Sequence, residues 1–169
     1  KMSYEDDLYD KIYQVKNIMI SIDKETGLTS VYNDGDGIDV VKHKEYKVFI
    51  PSLIFGELLT SSNYNKKEEK ITGGKNGYGA KLTNIFSKSF TIETYDASRS
   101  LKFIQKFKNN MKTKSKPNIT STQKNPYTKI SYIPDFAKFG IEGYTDDMIA
   151  LMIKRVYDVA AWTDKSVNV

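Results

Sequence analysis

The sequence predicts an α+β protein in which a mostly antiparallel sheet has helices on one face. Several segments carry an apolar side chain at every second position, which is the period of a β-strand. A segment near the C-terminus carries apolar residues three and four positions apart, which is the period of an amphipathic helix. The predicted strands do not alternate regularly with helices, as a parallel sheet would require. Together these observations favour a two-layer α/β sandwich.

The first elements are predicted to form a β-hairpin. Residues 17–23 have apolar side chains at positions 18, 20 and 22, and residues 28–33 read as the return strand. Gly27 supplies the permissive backbone of the turn between them. The stretch NDGDGID then interrupts the pattern, and residues 51–59 predict a short helix with Pro51 in its first turn.

The middle of the chain is predicted to contain a long polar loop followed by a helix and three strands. Residues 60–79 form the loop, and the helix begins at Ala80 with Leu82 and Ile85 on one side. A polar connector is predicted over residues 111–128. The three predicted strands are 89–96, 101–110 and 129–136, the last ended by Pro134.

The last element is predicted to be a helix over residues 145–162. Thr145 is a suitable N-cap, and Asp146 and Asp147 suit the positive end of the helix. Trp162 and most tyrosines are expected to pack in the core and against loops. The apolar stripe of the helix consists of Ile149, Met152, Ile153 and Val156.

Composition limits the classes of protein that the chain can represent. The 169 residues are about one domain in length, and no run of 18 apolar residues exists to span a membrane. Cysteine is absent, which excludes disulfides and a thiolate zinc site. The net charge is +5, and only Arg99 and Arg155 among the 26 basic residues are arginine. Such diffuse lysine charge fits either a solvated surface or weak contact with nucleic acid. His43, the single histidine, has no visible catalytic partner.

The stretch ITGGKNGYGAKLTNIFS combines glycines with the start of a helix. Four glycines lie between Gly73 and Gly79. Glycines allow successive backbone N–H groups to turn toward one anion, and Lys75 and Lys81 add positive charge. The spacing is neither that of a P-loop nor that of the dinucleotide fingerprint. The residues themselves leave two alternatives open, a phosphate site and a flexible glycine loop before a helix.

A second candidate feature is YNDGDGI, which follows the second predicted strand. An asparagine or aspartate at that position can accept a hydrogen bond from an exocyclic amine, and the glycines allow a ligand to approach. The alternatives are a tight turn and a calcium loop. The spacing of an EF-hand fails, because Val40, Val41 and Lys42 occupy its later positions.

Several segments together resemble one family. VYNDGDGIDVV, IPSLIFGELLTSSNY and TGGKNGYGAKLTNIFS resemble consecutive motifs in the N-terminal ATPase domain of eukaryotic-type (type IIA) DNA topoisomerase II. ISYIPDFAKFG and MIALMIKRVYDVA resemble its next strand and helix. The resemblance covers roughly residues 17–160 in the order of the family, and its glycine block is specific. It implies the Bergerat (GHKL) ATPase fold, here incomplete at the N-terminus.

The resemblance also implies roles for individual residues in an ATP site. Asn33 would read the adenine, and Ser131 would place a hydroxyl near it. Ser61, Ser62 and Asn63 would contact ribose and phosphate. The residues that would wrap the triphosphate are Gly74, Lys75, Asn76, Gly77, Tyr78, Gly79, Ala80 and Lys81.

The chain lacks the family's hydrolytic groups. In the family, the general-base glutamate and the Mg²⁺-binding asparagine lie on a helix ahead of the first strand, and no such stretch occurs here. The general-base glutamate is therefore expected upstream of Lys1, and no catalytic residue and no metal ligand is assigned within the chain. Glu5, Asp6 and Asp7 are expected to be an exposed acidic segment.

Two positions within the motifs also depart from the family. Lys75 stands where arginine is usual, and Asp39 stands where proline is usual. A lysine keeps the positive charge but loses the planar fork of the guanidinium group. Asp39 loses the stiff turn that a proline would give after the DGDG stretch.

The resemblance implies the following domain organisation. Residues 1–16 would be a polar connector after a missing helix, and residues 17–162 a partial ATP-binding domain. Residues 163–169 would begin the link to a missing transducer domain.

The resemblance implies that the intact enzyme passes one DNA duplex through a transient double-strand break in another, driven by ATP and Mg²⁺. Its partners would be DNA and a second protomer at the ATPase gate, with no membrane. The family location is the nucleus, or the cytoplasm for a virus-encoded enzyme. The fragment alone is expected to bind ATP weakly and to hydrolyse it negligibly. The alternatives are another GHKL-fold ATPase, of chaperone or kinase type, and a non-catalytic nucleotide- or DNA-binding module.

Overall fold

The computed structural model describes residues 15–57 and 77–169, and within these ranges it contains an antiparallel sheet of seven strands and three α-helices. The predicted α+β architecture is therefore confirmed. The strands are β1 (Ile18–Ile22), β2 (Thr29–Asn33), β3 (Ser87–Asp96), β4 (Leu101–Lys108), β5 (Thr113–Lys114), β6 (Asn118–Ser121) and β7 (Tyr127–Pro134). The helices are α1 (Ile50–Gly56), α2 (Gly79–Ile85) and α3 (Asp146–Trp162), with a 3₁₀ helix at Phe136–Phe139.

The sheet has the strand order β1-β2-β7-β3-β4-β5, and β6 also pairs with β4. Side chains alternate between its two faces along each strand, and directly paired residues share a face. One face, called here the helix-side face, includes Phe90, Ile92 and Thr94 of β3. The opposite face, called the outer face, includes Thr91 and Glu93 of the same strand.

The hydrophobic core lies between the helix-side face and α1. Phe55 of α1 contacts Phe90 with ring centroids 6.1 Å apart, and Phe90 in turn meets Phe107 of β4. Burial of aromatic rings of this size contributes about 1.5–3 kcal/mol each to folding. The buried core residues are Val40, Phe55, Phe90, Ile92, Phe103 and Phe107.

Helices α1 and α2 pack against each other over the sheet. Pro51 lies in the first turn of α1, as predicted, because its missing N–H would have had no intrahelical acceptor there. The Asn84 side chain of α2 donates to the carbonyl of Phe55 at 3.0 Å. This bond ties the end of α1 to the helix that follows the glycine-rich loop. Residues 58 and 59, also predicted to be helical, lie outside the described ranges.

Helix α3 confirms its predicted start but not its predicted packing. The hydroxyl of Thr145 accepts a hydrogen bond from the backbone of Met148 at 3.2 Å, which is the N-cap geometry. The expectation that Trp162 is packed is wrong, since the side chain is 92% exposed. No residue of α3 is buried within the described structure. The sequence could not predict this, because a helical stripe specifies an apolar face but not what covers it.

The prediction of a polar connector over residues 111–128 is partly wrong, because this segment contains β5 and β6. Both strands pair with β4, and both are short and polar. Short strands at the margin of a sheet have no buried face that would give an alternating pattern. None of the described helices has the length and apolar character needed to cross a membrane.

The segment after β2 is held across the end of β3 by backbone contacts. The Ile38 N–H donates to Thr94 Oγ1 at 2.9 Å, and the Val40 N–H donates to Asp96 Oδ2 at 2.9 Å. Between β2 and these bonds lies Gly37, with φ of +78°, where a Cβ would approach the carbonyl oxygen of Tyr95 to 2.1 Å. A glycine is therefore required both by the dihedral angle and by space.

We predict that Gly37→Ala destabilises the protein by about 1–3 kcal/mol, because the new methyl group displaces the segment from β3. Urea unfolding would measure the change. Gly143→Ala is the matched control, since a Cβ there meets nothing within 4 Å, and it is expected to have little effect. Equal stability of Gly37→Ala and the native protein would contradict the packing described here.

Candidate functional site

Asn33 is the last residue of β2 and begins the turn that carries the two glycines. Its side-chain oxygen accepts from the Gly35 N–H at 3.2 Å. That bond leaves the amide NH₂ of Asn33 as a donor toward the helix side of the sheet. The position agrees with the predicted placement of a carboxamide at a strand end beside a permissive backbone.

Asp34 connects this turn to the segment that precedes β1. Its carboxylate accepts from the backbone N–H groups of Lys16 and Asn17, both at 2.8 Å, and from the Asn17 side chain at 2.7 Å. Partial burial acts to raise the pKa of Asp34, but the hydrogen bonds from Asn17 and Lys16 outweigh it and hold the pKa below its ordinary value. Asp34 is thus a structural anchor of the turn that begins at Asn33.

A pair of threonine hydroxyls lies beside Asn33 on the helix-side face. Thr128 of β7 is directly opposite Asn33 on one side and Thr94 on the other. Thr94 Oγ1 donates to the carbonyl of Tyr127 at 3.0 Å and lies 3.0 Å from Thr128 Oγ1. The Tyr127 carbonyl can only accept, so the single hydroxyl hydrogen of Thr94 is used in that bond. In the bond between the two threonines Thr94 must therefore accept and Thr128 must donate. Thr128 therefore keeps its lone pairs as acceptors.

Ser131 does not join this group. It is paired with Ser30 of β2 and Thr91 of β3, which lie on the outer face. Asn33 and Ser131 are therefore on opposite sides of the sheet, which corrects the expectation that both contact one adenine. The residue that meets Asn33 across the pair is Thr128, which was not among the predicted site residues. Its position could have been found from parity, since Thr128 alternates in phase with the apolar Ile130.

Arg99 and two aspartates fix the far end of the turn. The buried Asp96 carboxylate accepts from Arg99 Nη1 at 2.9 Å, and the same guanidinium nitrogen lies 3.0 Å from Asp39. The hydrogen bond to Asp96 raises the pKa of Arg99 above its ordinary value. Asp39 stands where proline is usual in the family. Instead of the stiff turn of a proline it provides an ionic contact with Arg99, just after the end of β3.

The glycine-rich loop is described only in part. Gly77 has φ of +65°, and Tyr78 is 40% exposed at the start of α2. A Cβ on Gly79 would meet nothing within 4 Å, and Ala80 is exposed, so the described side of this loop is open. The other predicted members of the site lie outside the described residues: Ser61, Ser62, Asn63, Gly74, Lys75 and Asn76.

Lys81 is enclosed rather than presented at the surface. The residue is 1% exposed and lies on the buried side of α2 with Asn84. Burial lowers the pKa of Lys81, and the charge of Glu57 at the end of α1 opposes that shift. A contact of Lys81 with a phosphate stays a prediction.

His43 is accounted for by local structure. Its Nδ1 accepts from the Glu45 N–H at 3.2 Å and from the Tyr46 N–H at 3.4 Å. The histidine therefore stabilises its own turn and is not near Asn33 by any contact within the described residues.

The donors and acceptors on the helix-side face fit an adenine ring. Thr128 offers an acceptor for an exocyclic amine, and the Asn33 NH₂ offers a donor for a ring nitrogen. Within the described residues there is no group of three or more carboxylate, histidine or cysteine side chains that would hold a metal ion.

The hydrolytic groups expected from the resemblance are not among the described residues. The general-base glutamate is expected upstream of Lys1, and Lys1 itself lies with residues 1–14 outside the described ranges. The acidic residues Glu5, Asp6 and Asp7 lie in the same undescribed segment. The position of the general base therefore stays a prediction.

Comparisons with known proteins identify similar chains. This chain is 56% identical over 160 residues to the DNA topoisomerase 2 of Acanthamoeba polyphaga mimivirus, and 50% identical over 147 residues to the probable DNA topoisomerase 2 of Dictyostelium discoideum. These alignments cover 94% and 86% of this chain, but only 13% and 10% of the relatives. No protein-family model matches the chain.

Solved structures give the same result. The crystal structure of the ATPase region of Saccharomyces cerevisiae topoisomerase II matches with a TM-score of 0.83 and 46% identity, covering 86% of this chain and 39% of that one. The same yeast region bound to ICRF-187 (dexrazoxane) matches with a TM-score of 0.86 and 43% identity, over 91% and 41% of the two chains. At this identity the likeness extends beyond the fold to the sequence.

The lowered pKa of Asp34 makes a prediction about pH. A carboxyl group whose pKa is lower in the folded state stabilises the protein above the unfolded pKa, near 3.8, and loses that contribution as the pH falls through the folded pKa. We expect Asp34→Asn to reduce the loss of unfolding free energy below about pH 4, measured by urea unfolding across a pH series.

Asp147→Asn is the control for this measurement, since Asp147 is exposed and makes no hydrogen bond within the described structure. An unchanged acid profile for Asp34→Asn would show that the bonds to Lys16 and Asn17 do not persist in solution.

Proposed function

This chain belongs to the DNA topoisomerase II family, in which it matches part of the ATPase region, and we propose on this basis that it binds ATP. The proposal is carried by one observation. The register of β2 with β7 places Asn33 and Thr128 on the helix-side face, and the segment after β2 is fixed across the end of β3 beside them. Asn33 supplies a hydrogen-bond donor and Thr128 an acceptor on this face.

The adenine is proposed to bind with its amino group toward Thr128. The exocyclic amine of adenine donates, and its ring nitrogens accept. Thr128 has an acceptor lone pair because its own proton goes to Thr94. The oxygen of Asn33 accepts from the Gly35 N–H, and its NH₂ group donates to none of the residues that the structure describes. Asn33 and Thr128 are half-buried, and a wrong base would leave their polar groups unpaired.

The phosphates are proposed to lie at the glycine-rich loop. The resemblance assigns this position to residues 74–81, of which Gly77 to Lys81 are described. The positive φ of Gly77 and the space beside Gly79 support a close approach of the backbone to a ligand. Lys75 carries the same charge as the usual arginine, but its compact ammonium group cannot form a bidentate contact.

Mg²⁺ is proposed to bind together with the nucleotide. This ion usually keeps several waters and takes few protein ligands in addition to substrate phosphates. The chemistry that it supplies is neutralisation of charge on the phosphate oxygens. The general base and the Mg²⁺-binding asparagine are proposed to lie upstream of Lys1, on the helix that the family places ahead of the first strand.

The activity of the whole enzyme is likewise a proposal, since the chain spans about a tenth of the relatives it matches. We propose ATP-driven passage of one duplex through a break in another, with DNA and a second protomer at the gate as partners. We propose the nucleus as location, with the cytoplasm as the alternative for a viral enzyme, which the similarity to a viral relative keeps open. The relatives from mimivirus, Dictyostelium and yeast are named topoisomerases rather than chaperones or kinases.

We predict that Thr128→Val weakens the binding of a non-hydrolysable ATP analogue about tenfold, which corresponds to ~1.4 kcal/mol. Isothermal titration calorimetry on the 169-residue chain would measure the affinity. Thr128→Ser keeps the hydroxyl and should retain the native affinity, which separates the role of the hydroxyl from that of packing. Ser131→Ala removes a hydroxyl from the other face of the same strand and should have no effect.

Two outcomes would contradict the proposal. If Ser131→Ala weakened binding and Thr128→Val did not, the adenine would lie on the outer face. If none of the variants, nor the native chain, bound the analogue, the alternative of a nucleotide-independent binding module would be favoured.

A further inference from the structure

The outer face of the sheet has no described helix over it, and it carries polar side chains together with a few apolar ones such as Met19 and Ile104. The helices α1 and α2 pack on the helix-side face, through contacts such as Phe55 with Phe90. The 3₁₀ helix lies on that side as well, since Phe136 contacts Tyr144, whose hydroxyl bonds to the buried Thr29. Within residues 15–57 and 77–169, no helix packs on the opposite side of the central strands.

A row of small hydroxyl side chains crosses this face. The strand registers pair Ser21 of β1 with Ser30, Ser30 with Ser131, Ser131 with Thr91, and Thr91 with Lys106 of β4. The row therefore runs without a break over five strands. Within the described structure none of its four hydroxyls makes a side-chain hydrogen bond, so each keeps a donor and acceptors for a partner.

Lysines extend the row along β4. Lys106 and Lys108 point to the outer face two residues apart, which places them about 7 Å from each other. Both are exposed, and neither forms an ion pair within the described residues. Lys102 on the same strand is bonded to Glu93 at 2.9 Å, and Lys129 of β7 lies directly opposite Glu93.

The charge of this face is positive. Its strand residues include four lysines, Lys102, Lys106, Lys108 and Lys129, against the single carboxylate of Glu93. The Glu93 carboxylate also accepts from the Tyr127 hydroxyl at 2.6 Å, so its charge is engaged within the sheet. A shallow depression of about 850 Å³ opens beside this group, with Lys124 at its rim.

We propose that the outer face binds duplex DNA through its backbone phosphates. Lysine and the hydroxyls of serine and threonine are the groups that contact phosphate oxygens, and such contacts do not depend on base sequence. The small side chains of the row allow a phosphate backbone to approach the sheet, and Lys106 and Lys108 neutralise its charge. The surface is distinct from the nucleotide site, and the inference deepens the proposed function by assigning to this face a contact with the DNA that was proposed as a partner of the whole enzyme.

The composition of the hydroxyl row and its lysines favours DNA over a second protein. The centres of protein–protein interfaces are apolar or aromatic and depleted in lysine and serine, whereas this row consists of serine, threonine and lysine. It also favours a duplex over a single strand. Single-strand binding needs several free aromatic faces on which successive bases stack, and stacking of Tyr32 on Tyr127 at 5.7 Å covers one face of each of these two rings.

The test is the salt dependence of DNA binding by the 169-residue chain. The probe is a fluorescent 20-base-pair duplex of arbitrary sequence, measured by anisotropy from about 50 to 200 mM salt. Lys106→Gln/Lys108→Gln should lower the slope of log K against log salt concentration by about 2, and weaken binding at ~0.1 M salt about tenfold or more. Lys44→Gln/Lys138→Gln removes the same charge away from the outer face, and should leave the slope nearly unchanged.

Nucleotide affinity distinguishes this inference from the proposed function. The Lys106→Gln/Lys108→Gln protein should bind the ATP analogue as the native chain does, and Thr128→Val should bind DNA as the native chain does. The inference is overturned if the native chain does not bind the duplex at about 50 mM salt. It is also overturned if the two lysine pairs weaken binding equally. Loss of ATP binding with the DNA result intact would overturn only the proposed nucleotide site.

Discussion

The structure depends on one constraint, the close contact of the segment after β2 with the end of β3. The chain must pass over the carbonyl of Tyr95 at a distance that admits only glycine, and Gly37 meets that need. Bonds to Thr94 and Asp96 then hold the backbone on either side of this approach. The turn that begins at Asn33 thereby gains a defined position over the helix-side face, although it has no regular secondary structure of its own.

This contact is also part of the hydrogen-bond network of the candidate pocket. Thr94 lies at the centre, since it accepts hydrogen bonds from the Ile38 N–H and the Thr128 hydroxyl and donates one to the carbonyl of Tyr127. Its hydrogen-bonding capacity is used completely, which leaves Thr128 as the acceptor that faces a ligand. The orientation of the Thr128 hydroxyl therefore depends on Thr94 and on the carbonyl of Tyr127, and not on Thr128 alone.

The two faces of the sheet divide the polar residues by strand parity. Thr128 and Ser131 are both hydroxyl residues of β7, but an odd spacing places them on opposite faces. The helix-side face combines an aromatic core with the Asn33–Thr128 pair, and the outer face carries the hydroxyl row and the lysines of β4. The proposed nucleotide site and the proposed DNA surface therefore lie on opposite faces of one sheet.

Local patterns in the sequence predicted the hairpin, the first turn of α1 and the N-cap of α3, because each depends on residues close in the chain. They did not predict β5 and β6, whose pairing with β4 depends on contacts distant in sequence. Exposure of Trp162 was missed for the same reason, since what covers a helix is not encoded in the helix. The pairing of Asn33 with Thr128 needs the register of three strands, and motif matching alone pointed to Ser131.

The most direct measurement is a crystal structure of the chain with a non-hydrolysable ATP analogue. We expect the adenine on the helix-side face, with its amino group about 3 Å from Thr128 Oγ1, next to Asn33. The segment that carries Gly37 should remain against β3 in that complex. An adenine bound beside Ser131 on the outer face, or a bound nucleotide with this segment lifted from β3, would contradict the proposed site.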